Sequence, residues 1–120
     1  MPSITTPKIL VVDDDADTRA NLRDILELDD FWVETAGTAA ETLAHRDWTG
    51  IDVVILDRRL PDGTAHDLLP QIKQLAPHAS VIIVTAFADV ESAVSALKQG
   101  AEDYILKPVN SDELRTRLGH

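Results

Sequence analysis

Val53-Val54-Ile55-Leu56-Asp57 is an unbroken apolar run that stops on a carboxylate. Its length suits a strand and is too short for a helix. It does not alternate polar with apolar residues, which predicts a strand covered on both faces, as in a parallel sheet sandwiched by helices. Three more runs share this form. Lys8-Ile9-Leu10-Val11-Val12 leads into Asp13-Asp14, Val81-Ile82-Ile83-Val84 into Thr85, and Tyr104-Ile105-Leu106 into Lys107-Pro108. A parallel sheet carries all four run-ends to one edge, where carboxylates, a hydroxyl and an ammonium meet.

The segments between the runs carry helical signals. Ala16 to about Asp29 predicts a helix with Ala20, Leu22, Ile25 and Leu26 as its buried stripe, and Phe31–Thr35 is rich in aromatic and β-branched residues that favour a strand. Thr38-Ala39-Ala40-Glu41 is a capping box for a helix from Ala39 to about Arg46. Asp52–Leu56 is the next strand. Thr64 and Asp67 repeat the capping spacing, Leu68, Leu69, Ile72 and Leu75 give the helical period, and Pro77 lies past the end. After the strand Ser80–Val84, the residues Val90, Ala93, Val94 and Leu97 mark a helix that stops at Gly100. The short strand Tyr104–Leu106 is cut by Pro108, and Asn110 caps a last helix with Glu113 at its third position. Strand–helix alternation with right-handed crossovers predicts an α/β fold, a three-layer doubly wound (βα)5 sandwich with a five-stranded parallel sheet in the order 2-1-3-4-5. It has too few units for an eight-stranded barrel.

Composition bounds the function. The 120 residues suit one domain, with a core over about 8–118, a flexible segment 1–7, and a further domain allowed beyond 120. An apolar fraction of 44% supports an ordinary core and argues against disorder. The net charge of −10 disfavours nucleic acid and anionic membrane as direct partners. Without cysteine there is no disulfide, zinc thiolate or thiol nucleophile. The first residues lack a basic stretch followed by an apolar core, so the expected location is the cytoplasm.

In open α/β sheets, ligands sit beyond the carboxyl ends of the strands, where strand order reverses. Strands 1 and 3 flank that point and deliver Asp13, Asp14 and Asp57. At roughly 4 Å and an effective dielectric near 20, each pair of like charges costs on the order of 4 kcal/mol. An oxygen-ligated divalent cation, Mg²⁺ or Mn²⁺, would relieve that repulsion. Asp57 is the candidate nucleophile, since a carboxylate can take a phosphoryl group as an acyl phosphate. Thr85 and Lys107 would stabilise charge on the transferring group.

At these residues the chain resembles the receiver domain of two-component response regulators. The matching pieces are Val11-Val12-Asp13-Asp14, Leu56-Asp57-Arg58-Arg59-Leu60-Pro61-Asp62-Gly63, Val84-Thr85-Ala86 and Lys107-Pro108. The resemblance implies a flavodoxin-like signalling switch that is not an enzyme in the ordinary sense, although it assists its own phosphorylation and dephosphorylation. Asp57 would be the phosphoacceptor for a phosphohistidine on a sensor histidine kinase or phosphotransfer protein. Asp14 and Asp57 would ligate Mg²⁺ directly, Asp13 through water, and Arg59 through its backbone carbonyl. Thr85 and Lys107 would contact the phosphoryl oxygens, and Thr85 with Tyr104 would form the switch. Lys107-Pro108 would carry a cis peptide bond. The output would pass through the face made by helix 4, strand 5 and helix 5, to an output domain C-terminal to this chain, a partner, or a second copy in a homodimer.

Some residues depart from the commonest pattern. Ala65 stands where many members have glycine, implying a local backbone adjustment. Arg59 and Phe87 occupy positions that resemble tuners of phosphoryl lifetime; a bulky Phe87 would shield the acyl phosphate and slow its hydrolysis. Blander readings stand beside these. Asp15 or Asp17 suits a helix cap or a first-turn acid, Tyr104 suits simple strand packing, and Trp32 and Trp48 suit full or partial burial. His45, His66, His78 and His120 read as surface residues, and Arg58-Arg59 as either a phosphodonor contact or a solvated pair. Two other functions compete. An aspartate phosphohydrolase of the haloacid dehalogenase type needs a second acid two residues past its nucleophile, where this chain has Arg59. A docking domain without phosphotransfer would lack one of the acids, the hydroxyl or the lysine, and all are present.

Overall fold

The computed structural model describes residues 7–46, 48–86, 90–107 and 109–118. Five parallel strands form the central sheet: β1 (Lys8–Val12), β2 (Trp32–Ala36), β3 (Val53–Asp57), β4 (Ser80–Thr85) and β5 (Asp103–Leu106). Their spatial order is β2-β1-β3-β4-β5, the doubly wound order expected from the sequence. The helices are α1 (Ala16–Leu28), α2 (Ala39–Leu43), α3 (Ala65–Leu75), α4 (Val90–Lys98) and α5 (Ser111–Arg117).

The strands are buried on both faces, and successive residues feed opposite layers. Leu10, Val12, Val54, Leu56, Val81 and Ile83 join Leu68, Leu69 and Ile72 of α3 in one cluster. Ile9, Val11, Ile55, Ile82, Val84 and Ile105 join Leu22 and Leu26 of α1 and Leu114 of α5 in the other. The core therefore lies in two slabs either side of the sheet, with the strand ends clear of both.

The caps act as the sequence indicates. Thr38 Oγ1 accepts from Glu41 N at 3.0 Å, Thr64 Oγ1 from Asp67 N at 3.2 Å, and Asn110 Oδ1 from Glu113 N at 2.7 Å. Asp15 is the N-cap of α1, accepting from Asp17 N and from the Thr18 hydroxyl, and Asp17 is the acid of the first turn. α1 ends with Asp30 in the left-handed region at φ 64, while Phe31 N reaches back to Leu26 O. Gly100, at φ 108, takes the same kind of position after α4, where a side chain would be strained.

Several expectations are corrected. Ala20 is exposed, so the α1 stripe reduces to Leu22, Ile25 and Leu26. β2 and β3 each begin one residue later than expected, at Trp32 and Val53, and Trp32 is 44% exposed, because it starts an edge strand. Trp48 is buried as expected, in a single 3₁₀ turn Trp48–Gly50. α2 stops at Leu43 instead of about Arg46. Leu75 is 45% exposed at the last turn of α3. His45 is partly buried, with Nε2 2.8 Å from Glu34 Oε2 in an approach poorly aligned for a hydrogen bond; His66 and His78 are exposed. A two-residue hairpin, Arg59–Leu60 against Gly63–Thr64, follows β3 and has no signal in the apolar pattern. Phe87, the Lys107-Pro108 bond at Pro108, His120 and most of segment 1–7 lie outside the described residues.

Ile55 is 1% exposed at the centre of the sheet. Ile55→Ala should lower unfolding free energy by about 3–4 kcal/mol, from lost transfer energy and the cavity left behind. Urea unfolding should show a lower midpoint at unchanged slope.

Candidate functional site

Asp13 follows β1 directly, and Asp57 ends β3, the strand beside it. One carboxylate oxygen from each of Asp13, Asp14 and Asp57 lies within 4.8 Å of the others. Asp13 is buried, Asp57 half-buried and Asp14 exposed, so the group opens to solvent on the Asp14 side. Lys107, one residue past β5, reaches across the sheet edge. Its Nζ donates to Asp13 Oδ2 at 2.8 Å and lies 3.6 Å from Asp57 Oδ1.

The backbone fixes these side chains. Asp13 N donates to Ala36 O of β2 at 3.1 Å, and Asp13 Oδ1 accepts from Asp15 N at 2.9 Å. The next residue after the acceptor strand is tied sideways, with Arg58 N donating to Val84 O and Ala65 N to Arg58 O. Lys107 N donates to Thr85 O at 2.7 Å, so the ends of β4 and β5 are joined where Thr85 and Lys107 emerge. Thr85 is 3% exposed at the end of β4, one residue past the Val84 that pairs with Asp57.

Burial pushes the Asp57 carboxyl up to about 6, with the Asp13 charge adding to the rise and Lys107 opposing it. Burial alone would depress the Lys107 ammonium; its hydrogen bond to Asp13 and the Asp57 charge outweigh that and hold it above the ordinary lysine range. Three carboxylates and one ammonium leave a surplus of negative charge at a half-open site. Oxygen donors at this spacing fit a hard divalent cation of the Mg²⁺ class, and Asp57 remains reachable for an incoming electrophile.

The model of the response regulator receiver domain matches residues 9–119. The chain belongs to that family. The alginate biosynthesis transcriptional regulatory protein AlgB of Pseudomonas putida is 40% identical over 110 residues, covering 90% of this chain and 24% of that relative. The response regulator protein PilR of Pseudomonas aeruginosa is 38% identical over 111 residues, with the same coverage of both. The chain thus spans about a quarter of the length of these curated relatives. Among solved structures, a CheY-like receiver domain protein from Methanospirillum hungatei superposes with a TM-score of 0.86 at 35% identity, covering 95% of this chain and 91% of that one. The BeF3-activated DrrB receiver domain gives 0.84 at 32% identity, covering 95% of each chain.

In this receiver domain, Asp13, Asp14, Asp57 and Lys107 converge, with Thr85 on the adjoining strand. Tyr104 lies apart from them. It pairs with Ile83 on the sheet, packs against the α3 side of the core, and has a buried hydroxyl without a hydrogen-bond partner among the described residues. Arg59 is exposed in the hairpin, and its amide hydrogen bonds to the Asp57 carboxylate.

Three contributors escape a reading of the sequence. Arg19 Nη1 donates to Asp13 O at 2.6 Å, and Gly37 makes room for it, since a Cβ there would stand 2.9 Å from that nitrogen. Asp62 accepts from Ala39 N at 2.7 Å and Ala40 N at 3.0 Å, joining the acceptor loop to the start of α2. Arg58 Nη2 donates to Ser92 Oγ of α4 at 3.0 Å. The partners of Asp62 and Arg58 lie 23 and 34 residues away, and Arg19, only six residues from Asp13, depends on the space left by Gly37.

The raised Asp57 value has a sign that can be tested. A carboxyl with a higher pKa folded than unfolded weakens the fold above about pH 6, and the loss is fully recovered below its ordinary value of 3.8. In EDTA, Asp57→Asn should therefore be more stable than wild type at pH 7–8, by roughly 1–2 kcal/mol after allowance for solvent screening. That advantage should shrink through pH 6 and vanish near pH 4. Thermal melts across this range test it; a pH-independent difference would contradict it.

Proposed function

We propose that Asp57 accepts a phosphoryl group from a phosphohistidine on a sensor histidine kinase or phosphotransfer protein, and that the modified domain passes a signal to an output. The reading is supported above all by the gathering of Asp13, Asp14 and Asp57 within 4.8 Å, with Lys107 between Asp13 and Asp57. Asp13, Asp14, Asp57 and the Arg59 carbonyl would hold Mg²⁺, with Mn²⁺ as a substitute. Bound, the ion would neutralise charge on the transferring phosphoryl oxygens.

The residues divide the remaining work. The Asp57 carboxylate attacks phosphorus; its O–P bond forms as the donor's N–P bond breaks, and the bonding pair leaves with the imidazole nitrogen. Lys107, already beside Asp57, turns its ammonium toward the new oxyanions. The Thr85 hydroxyl, brought to the same edge by β4, donates to the phosphoryl group. Residues Asp13 and Asp57 share Lys107, so a phosphoryl group on Asp57 competes with Asp13 for the ammonium.

Modification replaces the single carboxylate charge of Asp57 with about −1.5 to −2 on the phosphoryl group, a net gain of about one-half to one negative charge at this edge. Thr85 and Tyr104 sit on neighbouring strands and would relay the change to α4 and β5. The proposed output face is α4–β5–α5, and exposed apolar side chains support it: Val94 is 43%, Leu97 48% and Leu106 53% exposed. A C-terminal output domain, a separate partner or a second copy would cover it. No helix among the described residues is long and apolar enough to cross a membrane, in keeping with a proposed cytoplasmic setting.

Two experiments test the chemistry. Intact mass after incubation with acetyl phosphate and Mg²⁺ should show one phosphoryl adduct on wild type, and none with EDTA or in Asp57→Asn. Absence of adduct from a folded, Mg²⁺-binding wild type, with phosphoramidate as well, would favour a docking domain without phosphotransfer. In thermal melts, Mg²⁺ at ten times its Kd should stabilise wild type by about 1.4 kcal/mol. Asp14→Asn should be more stable than wild type without metal and should gain nothing from Mg²⁺; a retained gain would remove Asp14 from the direct ligands.

A further inference from the structure

We propose that the cavity between α3 and α4 is a binding site for a small organic carboxylate with a flat apolar body. The cavity holds about 330 Å³, within the size range of small-molecule sites. None of Asp13, Asp14, Asp57 and Lys107 lines it, and it adjoins the acceptor cluster only through Arg58 and Arg59, which follow Asp57 in the chain.

Its lining is divided in a way that packing alone does not require. The apolar part is Ala65, Leu69, Ile83 and Ala96, of which the first three are buried. Arg58, Arg59 and Glu91 supply the charged part. Among the described residues of the lining, two arginines stand against one glutamate, in a chain of net charge −10. An anion is therefore attracted to this place and repelled by much of the remaining surface.

The cation is also held in place. Arg58 Nη2 is bonded to Ser92 Oγ across the cavity, at 3.0 Å. A guanidinium fixed before the ligand arrives loses less side-chain freedom on binding, and its planar fork matches a carboxylate. At the inner side, Tyr104 lines the same cavity, with a buried hydroxyl that has no hydrogen-bond partner among the described residues. An oxygen-bearing ligand would satisfy that hydroxyl, while a hydrocarbon would leave it unpaired. A ring on the apolar floor and a carboxylate at Arg58 match both halves of the lining.

The test uses the full chain, ¹⁵N-labelled, in EDTA and without phosphodonor, so its outcome is independent of phosphotransfer at Asp57. The probe is 1-naphthoate, with 1-naphthalenemethanol as the neutral counterpart. Naphthoate should give saturable amide shifts at Ser92, Ser95 and Tyr104, with a Kd on the order of 1 mM. The alcohol should bind at least about tenfold more weakly, as should naphthoate to Arg58→Gln. Ser95→Phe, which fills the cavity from α4, should abolish the shifts while keeping a dispersed spectrum. Should that variant fail to fold, the alcohol and Arg58→Gln comparisons still decide. Unsaturable shifts, shifts confined to the Asp57 and Lys107 edge, or equal binding of acid and alcohol would overturn the proposal. So would undiminished affinity in Arg58→Gln.

Discussion

The contact between the Lys107 ammonium and the carboxylates of Asp13 and Asp57 organises this molecule. It joins the end of β5 to the ends of β1 and β3, across 94 residues of sequence in the case of Asp13. Without a cation, the three carboxylates at this edge would repel one another by several kcal/mol even with generous screening. Lys107 relieves part of that repulsion and leaves a surplus that a divalent ion can complete. The upward shifts of both Asp57 and Lys107 express this single imbalance: too much negative charge in too little water.

The sheet makes this possible because its apolar residues do no chemistry. Val12, Leu56 and Val84 are buried, one on each of three adjacent strands, and each is followed within one residue by a polar side chain of the site. The strand supplies position, and the first residue beyond it supplies function. This is why so much was legible from sequence. A parallel strand buried on both faces has a strong one-dimensional signature, and its end is marked by the switch to Asp, Thr or Lys. Caps such as Thr38 and Asn110 are equally local, and they too were readable.

What was not legible depends on pairs that no local pattern marks. Nothing near Arg19 announces that it will hold the Asp13 carbonyl, and nothing near Gly37 announces that its missing side chain gives Arg19 its place. The same holds for Asp62, which serves α2 from a different loop. A helical period was legible in Val90, Ala93, Val94 and Leu97, but not the direction that it faces. Val94 and Leu97 point to solvent, because α4 packs on the core through Ala96. Periodicity identifies an amphipathic helix; it cannot say whether the apolar stripe is satisfied within the chain or offered to something outside it.

That inversion bears on how a signal could leave the site. α1, α2, α3 and α5 each contribute fully buried residues, whereas the described side chains of α4 include none. A helix held by small, partly buried side chains has little apolar area to lose when it shifts, so its local stability falls at the low end of the fold. Yet α4 is tied by the Arg58–Ser92 hydrogen bond to the residue that directly follows Asp57. The backbone of Arg58 is in turn fixed by Val84 and Ala65, so the tether starts from a rigid point. Under the proposed function, a charge change on Asp57 would act on a neighbour whose main chain is held and whose guanidinium reaches α4. The element at the far end of that guanidinium is the helix with no buried residue among its described side chains. Under the proposed function, weak packing, normally a defect, would let a local electrostatic event become a change of surface.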